Sequence, residues 1–182
     1  MTLTELSWNL CCSGQPIKLN LGSGGELIPG YISVDKHDIR AQVIADVTTM
    51  ELPDNTVDEI IAIHLFEHIS PYKAMDTLKR WCRWLKPKCK LIMEMPDIAK
   101  LCAEYATADK GIKYGILNCI YGSVNTTGGS EDVTEYHKFG WSPEVNGILW
   151  DHLTWAGFGD IVFGPDQYPH PLYNFRVEAA KL

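Results

Sequence analysis

Two rhythms of apolar positions alternate along this chain. Short, mostly apolar runs, Ile17 to Leu21, Tyr31 to Val34, Val43 to Ala45 and Glu59 to Ile63, read as strands. The last, Glu-Ile-Ile-Ala-Ile, has the pattern of a strand covered on both faces. Pro53-Asp54-Asn55 ahead of it is a turn. Ser70-Pro71 opens a helix, since Ser suits the N-cap and Pro the first helical position. Ala74, Met75, Leu78, Trp81, Cys82 and Leu85 then form one stripe at helical spacing. Lys86-Pro87-Lys88 stops that helix. A strand follows from Cys89 to Met95, and Asp97 after Pro96 caps a helix through Tyr105. This alternation of strand and helix predicts an α/β fold with a doubly wound parallel sheet.

Residues 107 to 140 break the rhythm, and Gly122 to Ser130 is polar and rich in turn formers. A long loop of this kind inside a domain is usually functional or disordered. Ser142-Pro143-Glu144 predicts a helix start, and the helix runs to about Ala156 and ends at Gly157. Ile161 to Gly164 and Asn174 to Ala179 read as two closing strands joined by a proline-rich turn. Residues 1 to 15 show no periodicity. No internal repeat is evident, and residues 1–182 are expected to form one domain.

The chemistry concentrates where the first strand ends. Ile17-Lys-Leu-Asn-Leu-Gly-Ser-Gly-Gly25 runs straight from a buried strand into a glycine turn, and Asp35 follows at the end of the second strand. Glycines let backbone approach a ligand without Cβ interference, and an acid at the next strand end can accept from two ribose hydroxyls. The spacing is too tight for a dinucleotide fingerprint, whose acid lies about twenty residues beyond its glycines. Pro29-Gly30 also interrupts any helix that would cradle a phosphate. The turn fits a nucleoside without pyrophosphate better.

Composition narrows the partners. The formal charge of −7 disfavours binding to phosphate backbones, which depends on Lys and Arg, so no nucleic acid is expected. No apolar run is long enough to span a bilayer, and the start lacks the basic and apolar regions of a signal peptide. A cytoplasmic protein without membrane partners is the expectation. The cysteines, Cys11, Cys12, Cys82, Cys89, Cys102 and Cys119, show neither C-x-x-C spacing nor a secreted framework. Cys82 and Cys89 read as small apolar residues, and the adjacent Cys11-Cys12 pair is read the same way.

The chain resembles the class I S-adenosylmethionine-dependent methyltransferases over nearly its full length. The resemblance rests on Leu19-Asn-Leu-Gly-Ser-Gly-Gly25, Pro29-Gly-Tyr-Ile-Ser-Val-Asp35, Ala45-Asp46-Val47 with Leu52-Pro53, and His64-Leu-Phe-Glu-His68. Tyr136-His-Lys-Phe-Gly-Trp-Ser-Pro143 and Ala156-Gly-Phe158 add to it. It implies a Rossmann-like, seven-stranded, mostly parallel sheet with an antiparallel last strand, in a compact branch with a shortened first helix. S-adenosylmethionine would be the cofactor. Gly22, Ser23 and Gly24 would pass under its methionine part, and Asp35 would hold the ribose diol. Asp46 and the Val47 amide would read the adenine edge, and His64 and Leu65 would lie near the sulfonium. Two features depart from the usual pattern: Glu26 stands at a position usually small, and Leu27-Ile28-Pro29 leaves little helix to face the cofactor carboxylate. Asp46 also reads as a plain turn start.

His64-x-x-Glu67-His68 matches an inverted zinc-protease pattern, which needs both imidazoles on one helical face. Because His64 continues a strand and a new helix opens at Ser70, no metal ligands are assigned. His137 closes the polar segment near the expected mouth of the sheet, while His152 reads as a packing or surface residue and His37, between Lys36 and Asp38, as merely flanking the ribose site. The function read from the sequence is methyl transfer to an oxygen or nitrogen of a small molecule or sugar. His68 and His137 are the candidate bases, and residues 107–142 the acceptor lid. Two alternatives are a non-catalytic nucleoside- or S-adenosylmethionine-binding protein and a zinc hydrolase using His64, Glu67 and His68.

Overall fold

The structure, a computed structural model, describes residues 14–122, 136–167 and 173–182. Its strands are β1 (Lys18–Leu21), β2 (Ile32–Asp35), β3 (Val43–Ile44), β4 (Val57–Ile63), β5 (Leu85–Pro96), β6 (Phe158–Gly164) and β7 (Asn174–Lys181). They form one sheet in the order β3-β2-β1-β4-β5-β7-β6. The first five pair in parallel, and β7 runs antiparallel to both β5 and β6. The direction of strand addition reverses between β1 and β4, which are neighbours. In open α/β sheets, ligands bind in the crevice beyond the strand carboxyl ends at such a reversal.

Apolar residues from alternating positions build the core on both faces. Leu19, Leu21, Val34, Ile60, Ala62 and Met93 are fully buried, and Asn20, on the opposite face of β1 from Leu19, is buried as well. Four helices, α1 (Pro71–Trp84), α2 (Ile98–Thr107), α3 (Lys110–Tyr121) and α4 (Ile148–Ala156), occur among the described residues. Most of the stripe read from the sequence lies on the buried face of α1, with Ala74, Leu78 and Trp81 fully covered; Met75 is only partly buried, and Trp84, outside the stripe, is fully covered too. The Trp81 indole N–H donates to the Val47 carbonyl at 3.1 Å, so this core ring also anchors the segment after β3. Asp97 caps α2 as the sequence predicts, accepting from the amides of Ala99 and Lys100.

Four local expectations are corrected. Lys86-Pro87-Lys88 does not separate α1 from a later strand; α1 passes directly into β5. Val57 faces Leu85 while Glu59 faces Lys90, so the Lys-Pro-Lys segment bulges out of the pairing, with Lys88 at φ 66°. Residues 110–121, expected in an irregular lid, form α3. Gly111 and Gly115 hide its helical character from a propensity reading, and Ile116 is its one buried residue. Helix α4 starts at Ile148 rather than Ser142, because Asn146 at φ 60° and the turn from Glu144 to Gly147 interrupt the path. Only turns connect β1 to β2, so the shortened first helix is absent altogether. The Cys11-Cys12 pair, residues 123–130 and residues 168–172 of the proline-rich connection lie outside the described residues.

Glu94 of β5 is fully buried and accepts from Arg176 of β7 at 2.8 Å and from the Gln167 amide at 2.9 Å. Removing one partner of a buried ion pair leaves the other charge uncompensated. Arg176→Met is expected to cost on the order of 3 kcal/mol of stability, read from the midpoint of urea denaturation. The Glu94→Gln/Arg176→Met double variant is expected to recover part of that loss.

Candidate functional site

Where β1 ends, the chain makes a turn that only small residues tolerate. The amides of Gly22 and Ser23 both donate to the Val34 carbonyl, at 2.8 and 3.2 Å, folding the turn back over β2. Gly22, Gly24 and Gly25 have φ values of 64°, 52° and 77°, in the left-handed region that glycine enters at little cost. A Cβ on Gly22 would lie 2.6 Å from Cδ1 of Leu65. The turn after β1 is therefore in direct contact with the segment after β4, across the point where the strand order reverses. Ser23 Oγ is buried with no hydrogen-bond partner among the described residues.

Asp35 ties this turn to the end of β2. Its Oδ2 accepts from the Gly24 amide at 2.9 Å, and its Oδ1 accepts from the amides of His37 and Asp38 at 2.8 and 2.9 Å. Burial alone would push the carboxyl up, but these three amide bonds outweigh it and hold the pKa below the usual value. A carboxylate has about four lone-pair positions, so the protein occupies all but about one. Arg40, not singled out from the sequence, donates to the Gly24 carbonyl at 3.1 Å and lies against Gly25. The adjacent guanidinium holds the Asp38 carboxyl at about 2. No local pattern marks Arg40; the path of the chain brings it to the turn.

Asp46 takes the turn-starting role that the sequence also allows. Its Oδ1 accepts from the amide and hydroxyl of Thr48, at 2.9 and 2.7 Å, and its Oδ2 pairs with Lys36 at 3.0 Å. Burial pushes this carboxyl up, yet the Thr48 and Lys36 contacts hold it at about 2. Val47 is buried, with its carbonyl bonded to Trp81.

Beyond β4 the chain kinks at His64, which sits at φ 50° and donates its amide to the Glu94 carbonyl at 2.8 Å. Phe66–His68 is a single 3-10 turn, and the next helix begins at Pro71. His64 and His68 thus share no helical face, and His64 Nδ1 instead lies 3.1 Å from Oε1 of the buried Glu67. The Glu67 carbonyl accepts from the amides of Lys138 and Phe139, at 2.7 and 3.2 Å. Those two bonds dock the late segment on the carboxyl end of β4 and bring His137 to His68, with ring centroids 4.7 Å apart at 84°. His68 Nδ1 lies 3.2 Å from the Tyr136 carbonyl. Burial lowers the His137 pKa, helped by His68 and opposed by Glu67 and by the backbone at Ile120 and Cys119. His152, by contrast, packs edge-on against Trp141 and lies 2.8 Å through Nδ1 from the Ile148 carbonyl.

Residues 12–93 match a family model described as a methyltransferase domain. The match spans the glycine turn, Asp35, Asp46 and the His64 to His68 segment, and ends within β5. The fold is shared with a SAM-dependent methyltransferase from Archaeoglobus fulgidus, at 15% identity and a TM-score of 0.58, covering 98% of this chain and 94% of that one. The fold is that of the S-adenosylmethionine-dependent methyltransferases, and the family match covers its first half. A SAM-dependent methyltransferase from Methanosarcina mazei is similar at 16% identity and a TM-score of 0.58, covering 92% and 94% of the two chains. A third likeness, to the 1,6-didemethyltoxoflavin-N1-methyltransferase of Burkholderia thailandensis, has 15% identity and a TM-score of 0.55, covering 97% and 76%. That structure holds its 1,6-didemethyltoxoflavin and S-adenosylhomocysteine. A comparison with curated protein sequences finds no match. Among the described residues, no helix is long and apolar enough to cross a membrane.

The Gly22–Leu65 approach is a tight constraint on the crevice. Gly22→Ala is expected to cost on the order of 1–2 kcal/mol for its left-handed conformation alone, with a further loss from displacing Leu65. Adding Leu65→Ala should recover part of the second loss, read as non-additivity in a thermal-denaturation cycle.

Proposed function

We propose that the chain is an S-adenosylmethionine-dependent methyltransferase that acts on an oxygen or nitrogen of a small molecule or sugar, using one domain over residues 1–182. The observation that carries the reading is the meeting of the glycine turn, Leu65 and the His68–His137 pair at one end of the sheet. The cofactor fits the first part of that arrangement. The turn offers a Cβ-free path and a buried Ser23 hydroxyl without a hydrogen-bond partner among the described residues, and Asp35 retains lone-pair capacity for a ribose hydroxyl. In this reading Gly22, Ser23 and Gly24 lie under the methionine part, Asp35 binds the ribose, and Val47 and Asp46 border the adenine. His64 and Leu65 border the sulfonium side.

When bound, S-adenosylmethionine supplies a methyl group already activated by its sulfonium. The chain's own work is then alignment and exclusion of water. A hydroxyl acceptor must also lose a proton, and His68 and His137 are the imidazoles beside the crevice that take it. The acceptor side is built from residues 107–142, including α3 and the strip docked on Glu67. All of that region lies beyond residue 93, where the family match ends, so the match itself names no acceptor. The charge of −7 favours small or uncharged acceptors over nucleic acid.

Asp35→Ala is expected to weaken S-adenosylhomocysteine binding by about 1.5–3 kcal/mol, measured by calorimetry on folded protein. Unchanged affinity would remove the ribose role. The acceptor itself is sought by screening amines, alcohols and sugars with methyl-labelled cofactor. With an acceptor in hand, His68→Ala or His137→Ala should lower kcat at least about 100-fold while leaving cofactor affinity nearly unchanged. Near wild-type turnover by the folded double variant would rule out both imidazoles.

A further inference from the structure

Glu67, His68 and His137 stand close enough to act as one ligand set: one donor atom from each lies within 4.8 Å of the other two. No other group of this kind occurs among the described residues. Glu67 is buried, and its Oε2 has no hydrogen-bond partner among the described residues. An unpaired buried carboxylate oxygen is costly to leave bare, and a cation beside it would offset that cost. Its other oxygen is already held by His64.

Both imidazoles are pinned in the manner of metal ligands. The Tyr136 carbonyl lies 3.2 Å from His68 Nδ1, and backbone at Cys119 and Ile120 bonds the His137 ring. A ring nitrogen that donates to a carbonyl leaves the other nitrogen as a lone-pair donor, the arrangement that orients metal-binding histidines. The carbonyls around the His137 ring belong to the last turn of α3, whose negative end favours a positive charge.

We propose that Glu67, His68 and His137 bind one divalent cation of the zinc type. Two histidines and one glutamate form a three-ligand set that leaves the fourth tetrahedral position open to solvent or acceptor. Metal–nitrogen bonds near 2.0–2.1 Å imply ligand separations of about 3.3 Å, so the donors need to close by roughly 1.5 Å at most, within reach of side-chain rotation. The set differs from the sequence motif: His137, distant in the chain, takes the place of His64. Cation and proton compete for the same two lone pairs, so the loaded form cannot use either imidazole as a base. The site shares His68 and His137 with the proposed bases and so competes with that role, but its occupancy is measured without acceptor or cofactor, so the two readings fail separately.

The test is calorimetry of chelator-stripped protein with zinc sulfate, supported by the visible spectrum of the cobalt(II) form. One equivalent should bind in the micromolar range or tighter, with tetrahedral cobalt absorption. Glu67→Gln, His68→Ala and His137→Ala should each weaken binding at least tenfold. His37→Ala, removing an exposed imidazole, should bind as the wild type does. Folding of each variant is checked by circular dichroism without metal, and the milder His137→Gln serves if His137→Ala does not fold. Absence of stoichiometric binding in folded wild-type protein would overturn the proposal. So would binding that survives in folded His68→Ala and a folded His137 variant.

Discussion

The approach of Gly22 to Leu65 sets the geometry of everything at the carboxyl end of the sheet. Two strands distant in sequence, β1 and β4, are adjacent because strand order reverses between them. The segments leaving them must therefore cross at van der Waals distance, and a single Cβ at position 22 would collide with Leu65. The same constraint places Asp35, bonded to the Gly24 amide, beside the crevice on the β2 side. On the other side, His64 adopts a left-handed conformation that turns the chain into the 3-10 segment carrying Glu67 and His68.

Glu67 joins the two halves of the molecule. Its backbone carbonyl accepts from Lys138 and Phe139, while its buried carboxylate meets His64 and neighbours the His68–His137 pair. Below it, Phe66 packs on Trp141 with centroids 4.9 Å apart and on Trp81 at 6.0 Å. The Ile98 amide also donates to the Trp141 carbonyl, so the strip from 136 to 141 is held by the segments that follow both β4 and β5. A rigid aromatic floor under a polar cluster keeps the two imidazoles together at little entropic cost. In the proposed reading the cofactor side is built from residues close in sequence, and the acceptor side from segments about seventy residues apart.

Asp35 and Asp46 differ in how much acceptor capacity local hydrogen bonding leaves open. Asp35 gives three acceptor positions to backbone amides and keeps about one in reserve. Asp46 bonds to Thr48 and Lys36, so any contact with adenine competes with those partners. The sequence pattern supported both readings of Asp46 because a turn start and a base-reading acid require the same residue type.

Local chemistry was legible wherever a short segment decides its own conformation. The strand runs, the Ser70-Pro71 start of α1, the Asp97 cap and the glycine turn depend on periodicity, caps and φ preferences that neighbouring residues set among themselves. The family likeness could be read for the same reason, since its motifs sit at strand ends. Tertiary structure decided what local signals leave open. Pairing with β4 turned Lys86-Pro87-Lys88 from a terminator into a bulge, because the ladder resumes at Lys90. Helix α3 formed despite Gly111 and Gly115, where packing of Ile116 outweighs propensity. Arg40 reached Gly24 only through the fold. The Glu67, His68 and His137 cluster exists because two backbone bonds carry a distant strip onto the end of β4, and no spacing within either segment encodes that meeting.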